Sequence, residues 1–298
     1  MKLGYVGLGK MGLNMVERLL EKGYQVTAFD RSTVATEEAA GKGAQRADTL
    51  ESMVSSLPQP RLVWVMVPHQ AVDTVLQELV PLLAKGDTVI DGGNSPYKES
   101  MRRASELEKK GIDFLDAGVS GGPSGARSGA CIMIGGRRES FQKFEGLFRD
   151  LAAPDGYGYM GKSGAGHFVK MVHNGIEYGM MQALAEGFAV MHASPFGVDL
   201  AKIAGLYDHR SVIESRLVGW LREAYERYGE GLRGISGTVA QSGEGAWTVE
   251  AAEELGIPVP VIMQALEFRI RSQTVPSYTG QVLSALRHQF GGHEVRKK

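Results

Sequence analysis

The chain has 298 residues, 43% hydrophobic and 22% charged, which is ordinary for a soluble globular enzyme and long enough for two domains. A net charge of −1 gives no global field for nucleic acid or an anionic membrane, and no apolar run approaches the roughly 20 residues of a membrane span. A single cysteine, Cys131, excludes an internal disulfide and is compatible with a reducing, cytoplasmic setting.

The N-terminus runs directly into a strand pattern, with no signal-peptide pattern. Leu3 to Val6 is a short apolar run, read as a buried strand. Gly7-Leu8-Gly9-Lys10-Met11-Gly12 follows, then a helical pattern through Leu20, and a second strand, Gln25 to Phe29, ending at Asp30. Strand, Gly-x-Gly-x-x-Gly, helix, strand and acid in about 30 residues predict a dinucleotide site. Gly7 allows the tight turn, Gly9 lets the backbone approach a pyrophosphate, and Gly12 lets helix and strand pack closely. The helix N-terminus supplies N–H donors and partial positive charge. Asp30 sits where an acid accepts hydrogen bonds from the ribose hydroxyls of NAD and repels the 2′-phosphate of NADP. NAD is therefore the expected cofactor and NADP the alternative. Arg31 is read either as an adenine or phosphate contact or as a solvated loop residue.

Leu62 to Val67 is a fully apolar strand, as in a parallel sheet covered on both faces. Thr88 to Asp91 is another, and Ser95-Pro96 is expected to cap and open a helix to about Lys110. Phe114 to Asp116 leads into the glycine-rich run Ala117 to Gly129. Ligands collect beyond the carboxyl ends of strands in open α/β sheets, so Pro68, Asn94 and Ser120 are candidates for one cleft, and Val67, at the end of its strand, is expected with Pro68 at the cofactor. Small residues at Ser120, Gly121 and Gly122 leave backbone N–H groups open to an anion. Cys131, at the start of an apolar run, is expected to be a buried strand residue.

After Gly161 to Gly166 the alternation of strands and helices stops. A long helical pattern runs from about 165 to 193. Shorter ones follow near 199–207, 211–227, 248–255, 260–272 and 278–288. The division expected is 1–163, nucleotide-binding, and 164–298, helical.

The long helix carries Lys170, His173, Asn174 and Glu177. At about 100° per residue, positions 170, 174 and 177 fall within about 60° of one another. One face thus presents an amine, a carboxamide and a carboxylate, with Val169, Val172 and Ile176 free to pack elsewhere. Such a pair suits a base and an acid acting on one small substrate. A surface Lys–Glu helix pair is the plainer alternative. A base lysine needs a lowered pKa, which burial supplies.

These motifs resemble those of the β-hydroxyacid dehydrogenase superfamily and, within it, the 6-phosphogluconate dehydrogenase family. Gly7–Gly12, Asp116–Gly129 and Gly161–Asn174 match in order. The narrower likeness rests on His167-Phe-Val-Lys-Met-Val-His-Asn-Gly-Ile-Glu-Tyr178 and Arg287-His-Gln-Phe-Gly-Gly-His293. The resemblance implies an α/β Rossmann-like N-terminal domain with a mostly parallel sheet, followed by an all-α C-terminal domain. It also implies the short form of the family, associated with NAD.

In activity, the resemblance implies oxidative decarboxylation of 6-phospho-D-gluconate to ribulose 5-phosphate and CO2, a step of the pentose phosphate pathway. Lys170 resembles the general base and Glu177 the acid. Asn94, Ser120, Gly121, Gly122, His173 and Asn174 resemble contacts to the carboxylate and hydroxyls, and Tyr178 and Arg269 phosphate ligands. Arg287 and His293 resemble tail residues reaching a neighbouring subunit, so a homodimer or homotetramer is expected. Arg269 or Arg271 could instead be a surface helix residue, and His293 an exposed histidine. His167 is read as packing or capping, and no metal-ligand cluster is apparent. One departure stands out: Ser242 lies near the place of a lysine that holds phosphate in longer members, with Glu244 close by. A non-decarboxylating β-hydroxyacid dehydrogenase, acting on something like 3-hydroxyisobutyrate, is the alternative.

Overall fold

A computed structural model describes residues 1–241 and 243–292. Ser242 and His293 lie outside the described residues.

The first 161 residues alternate strands and helices: β1 (Lys2–Val6), α1 (Lys10–Glu21), β2 (Gln25–Phe29), α2 (Thr33–Gly41), β3 (Gln45–Arg46), α3 (Leu50–Ser55), β4 (Leu62–Val65), α4 (His69–Leu79), β5 (Thr88–Asp91), α5 (Tyr97–Glu108), β6 (Asp113–Ser120), α6 (Gly122–Ser128), β7 (Ala130–Gly136), α7 (Arg138–Leu151) and β8 (Ala152–Gly161). The strands form one sheet in the order β3-β2-β1-β4-β5-β6-β7-β8. All neighbours are parallel except β6 and β7, which pair antiparallel. A mostly parallel sheet is thus present as expected.

Alternation along each strand separates two cores, one per face of the sheet. Leu3, Tyr5, Leu62, Trp64 and Ile90 face one side, where Met15, Val16 and Leu19 of α1 and Phe141, Phe144 and Phe148 of α7 cover them. Val6, Val63, Val65 and Val89 face the other, under Met53 and Val54 of α3, Val72 and Leu76 of α4, and Ala104 and Leu107 of α5. The buried positions of α1 recur at helical spacing, so its apolar stripe follows from sequence.

Three local expectations are corrected. β4 ends at Val65, so Met66 and Val67 already belong to the loop. Ser95 does not cap α5; its hydroxyl donates to the buried Asp91 at 2.8 Å, and Pro96 occupies the cap position. Cys131 is exposed, because it pairs with Ser120 in the last rung of the β6–β7 ladder, at the rim of the sheet.

Helices α8 (Ala165–Ala193), α9 (Leu200–Tyr207), α10 (Arg216–Tyr228), α11 (Glu244–Glu254), α12 (Pro260–Ser272) and α13 (Tyr278–Gly291) follow. The chain divides into two compact units at Met171/Val172, within α8. The core of the second unit joins Met181, Ala185 and Phe188 of α8 to Leu200 of α9, Leu221 and Tyr225 of α10, and Val282, Leu283 and Leu286 of α13. Asp199, Ser215 and Ser277 cap α9, α10 and α13 with side-chain oxygens. Two starts differ from the periodicity: α10 begins later, at Arg216, and α11 earlier, at Glu244. No helix among the described residues is long and apolar enough to cross a membrane.

Candidate active site

In the first unit, the loops after β1, β4, β5 and β6 leave the same edge of the sheet, because these strands are adjacent and parallel. Gly7–Gly12, Val67-Pro68, Asn94 and Ser120 are therefore brought to one rim. Gly7 has φ +98°, and a Cβ there would collide with the Met66 carbonyl; a Cβ on Gly12 would collide with the Gly7 carbonyl. Gly9 differs. A Cβ there would meet no protein atom within 4 Å, so packing within the chain does not require glycine. Gly9 is the N-cap of α1, with no side-chain cap, and the first turn of a helix presents N–H groups that its own carbonyls do not use. The cradle fits a dinucleotide pyrophosphate.

Asp30 follows β2. Its Oδ2 accepts from the Leu8 N–H at 2.7 Å and its Oδ1 from the Ser32 N–H at 2.8 Å. The carboxylate is thereby fixed against the glycine loop, with acceptor capacity left for ribose hydroxyls. Arg31 is exposed beside it.

The Asn94 loop is held from beneath. Fully buried Asp91 accepts from the Gly93 N–H at 3.1 Å and from Ser95 Oγ at 2.8 Å. Arg103 of α5, also buried, donates to Ser95 Oγ at 3.2 Å and reaches Asp91 at 3.5 Å, while its Nε donates to Asp73 at 2.8 Å. Sequence reasoning did not find Asp73, Asp91 or Arg103 as a group, because their partnership runs between α4, β5 and α5.

Gly121, with φ +128°, precedes α6, and Gly122 also has positive φ at +63°. Lys170 lies against β6: a Cβ on Gly118 would collide with the Lys170 Cβ. Lys170 is 7% exposed, so the surface-pair alternative does not describe it. Gly118 and Ser120 share a face of β6, two residues apart. The structure thus gathers Lys170, Ser120 and the α6 turn. Gly118 carried no signal beyond the general glycine richness.

In the second unit, α8 continues through His173, Asn174, Glu177 and Tyr178. His173 Nδ1 lies 3.0 Å from Asn174 Oδ1 and 3.9 Å from Glu177 Oε2. Asn174 is buried and Glu177 half-buried. Ile176 is exposed rather than packed.

Tyr178 is buried, and the Arg269 guanidinium of α12 lies over its ring, 3.3 Å from the centroid. Arg269 is 2% exposed, which excludes the surface-helix alternative for it; Arg271 is exposed. Tyr178 Oη and Arg269 Nε have no hydrogen-bond partner. Arg287 of α13 is buried as well. Burial pushes the Arg269 guanidinium down to about 10, and the Arg287 charge adds to the fall, against Tyr178 and Glu177. Burial also lowers Arg287, against Tyr178, Glu244 and Glu177. Among the described residues, no carboxylate forms an ion pair with either arginine. Two buried guanidiniums and an unsatisfied phenol suit a multiply charged anion. Glu244 is buried in the first turn of α11, where its charge supports Arg287.

No cluster of His, Cys, Asp or Glu able to hold a metal ion occurs among the described residues.

The family model for the NAD binding domain of 6-phosphogluconate dehydrogenase matches residues 2–175, and that for the 6-phosphogluconate dehydrogenase C-terminal domain matches residues 166–285. The chain belongs to the 6-phosphogluconate dehydrogenase family. It is an oxidoreductase with an NAD-binding domain. It is similar along the full length of both chains to a Bacillus subtilis protein provisionally named as a 6-phosphogluconate dehydrogenase, with 48% identity. A Haloferax volcanii protein, 42% identical over 100% of this chain and 99% of its own, is named 6-phosphogluconate dehydrogenase, NAD(+)-dependent, decarboxylating. Among solved structures, Plasmodium falciparum 6-phosphogluconate dehydrogenase, described with NADP+ and with 6-phosphogluconate, superposes with a TM-score of 0.81 at 30% identity. The match covers 91% of this chain and 62% of that one.

Proposed function

We propose that the enzyme oxidises and decarboxylates 6-phospho-D-gluconate, giving D-ribulose 5-phosphate and CO2, with NAD as the preferred acceptor. The observation that carries the phosphorylated substrate is the buried Tyr178–Arg269 pair, in which Tyr178 Oη and Arg269 Nε each lack a partner and Tyr178 directly follows the proposed acid, Glu177. A small non-phosphorylated hydroxy acid would leave those donors unsatisfied, which is costly in a buried site.

Bound NAD would take the hydride from C3; Gly7, Leu8, Gly9, Lys10, Met11 and Gly12 would hold its pyrophosphate, Asp30 its ribose, and Arg31, Val67, Pro68 and Asn94 would border it. Lys170 takes the proton of the C3 hydroxyl as the ketone forms. The bond between C1 and C2 then breaks, CO2 leaves, and its electron pair passes to the ketone oxygen, which protonated Lys170 neutralises. Glu177 gives its proton to the carbon that carried the carboxylate, completing the ketose. Asn94, Ser120, Gly121, Gly122, His173 and Asn174 orient the carboxylate and hydroxyls, with His173 held between Asn174 and Glu177. Tyr178 and Arg269 take the phosphate, and Arg287, which the resemblance assigns to a neighbouring subunit's site, instead adds its charge beside Arg269 of the same chain.

We further propose a homo-oligomer. Ile176, Met180, Ala183, Gly187 and Val190 form an exposed seam on α8 at alternating four- and three-residue spacing, suited to another helix. His293, expected to join a neighbouring site, lies outside the described residues. Residues 1–163 serve chiefly the nucleotide, and residues 164–298 substrate and assembly.

The test is reduction of NAD and NADP with 6-phosphogluconate and with 3-hydroxyisobutyrate. NAD reduction with 6-phosphogluconate alone supports the proposal. Reduction only with 3-hydroxyisobutyrate would replace it by the non-decarboxylating alternative.

A further inference from the structure

We infer that Asp116 is a positioning residue for Lys170, acting by capping α8 from β6. Asp116 is fully buried. Its Oδ1 accepts from the Gly164 N–H at 2.7 Å and its Oδ2 from the His167 N–H at 2.9 Å. These donors stand at the start of α8, where N–H groups lack intrahelical partners and the helix carries partial positive charge. Most caps come from the residue just before the helix. This one comes from a strand 48 and 51 residues away, so it fixes α8 to the sheet.

The backbone contacts are equally close. A Cβ on Gly166 would lie 2.5 Å from the Asp116 and Met133 carbonyl oxygens, and a Cβ on Gly135 would lie 2.7 Å from Asp116 Oδ1. Only glycine lets the first turn of α8 approach β6 and β7 this far. His167 adds a second tether, its Nδ1 lying 2.7 Å from Ser100 Oγ of α5. Lys170 follows His167 by less than one turn, and it meets β6 again at Gly118. Lys170 is thus held between the Asp116 cap and the Gly118 contact, with little freedom to slide or rotate. Proton transfer is steep in such displacements: a shift of about 1 Å can cost about 100-fold in rate.

The inference rests on Lys170 being the base, and the experiment separates the two. Purified, folded Asp116→Asn is compared with wild type for kcat, NADH affinity and the isotope effect on kcat with substrate deuterated at C3. Lys170→Ala runs in parallel. Asparagine keeps one acceptor but loses the second and the charge. The expected result is a fall in kcat of about 10- to 100-fold, with NADH affinity unchanged and a larger isotope effect, since the step at C3 becomes slower. A lowered melting temperature with wild-type kcat and isotope effect would overturn the inference and leave Asp116 a stabilising cap only. If Asp116→Asn does not fold, Asp116→Glu, which keeps the charge but displaces it by one methylene, is measured in the same way. Wild-type kcat in that variant overturns the inference too. Wild-type turnover in Lys170→Ala would instead remove the base assignment beneath it.

Discussion

The Arg269 guanidinium rests 3.3 Å from the centroid of the Tyr178 ring, with both side chains buried and each keeping a donor without a hydrogen-bond partner. The stacking orients the arginine but does not neutralise it, and burial lowers its pKa to about 10. A bound phosphate would relieve this cost. Arg269→Ala is expected to raise KM for 6-phosphogluconate by about 10- to 100-fold, the equivalent of one charge-assisted hydrogen bond of ~1.5–3 kcal/mol. Its effect on any residual reaction with unphosphorylated gluconate is expected to be small. Equal losses on both substrates would show that Arg269 serves the fold rather than the phosphate.

Asp30 has one oxygen on the Leu8 N–H and the other on the Ser32 N–H, so its charge is fixed beside the glycine loop. Asp30→Ser is expected to raise KM for NAD and lower KM for NADP, each by about tenfold, or ~1.4 kcal/mol. Steady-state kinetics with both cofactors checks this. An unchanged ratio would remove Asp30 as the selector.

Glu177→Gln keeps the size of the side chain and its place near His173 but removes the proton proposed for the product carbon. Turnover is expected to fall by about 100- to 10,000-fold, the usual range for a general acid, with NADH binding unchanged. Turnover near wild type would assign that proton to another donor.

Asp73 is held down at about 2, first by its hydrogen bond from Arg103 and then by Arg102, against a desolvation penalty. Its folded pKa lies below the ordinary 3.8, so its contribution to stability is complete above that value and is lost as pH falls toward 2. Asp73→Asn is therefore expected to flatten the fall in melting temperature between those limits while leaving the slope near neutral pH unchanged. An identical acid profile would mean that the pair adds nothing to stability.

Arg103 joins that carboxylate to the buried Asp91 beneath the Asn94 loop. Arg103→Met leaves Asp91 without its cationic partner and is expected to destabilise the fold by ~3–5 kcal/mol, measured by denaturant unfolding. A loss below ~1 kcal/mol would show that the Ser95 and Gly93 bonds are enough for Asp91.

The parts of the molecule legible in sequence are those whose causes are local. The glycine turn, α1 and Asp30 lie within one short stretch, and the apolar stripe of α1 follows its own period. Likewise α8 carries Lys170, Asn174 and Glu177 without interruption, since no proline or cap breaks that run. What was not legible depends on partners distant in the chain. Ser95 resembles a cap by its place before Pro96, yet Asp91 draws its hydroxyl inward. Cys131 sits in an apolar run, but its rung of the ladder ends at the sheet rim. Asp116 gave no sign of capping α8, because its donors come from about 50 residues away and the approach depends on Gly135 and Gly166. Periodicity also set α11 too late, where its start is fixed by Gly243 in left-handed geometry at φ +105°.

The central claim is decarboxylation coupled to hydride transfer, and the most direct measurement is the ratio of CO2 released to NADH formed from 6-phosphogluconate by the wild-type enzyme. The account predicts one CO2 for each NADH, with ribulose 5-phosphate as the sugar product. NADH formed without CO2, leaving a stable keto acid, would contradict it.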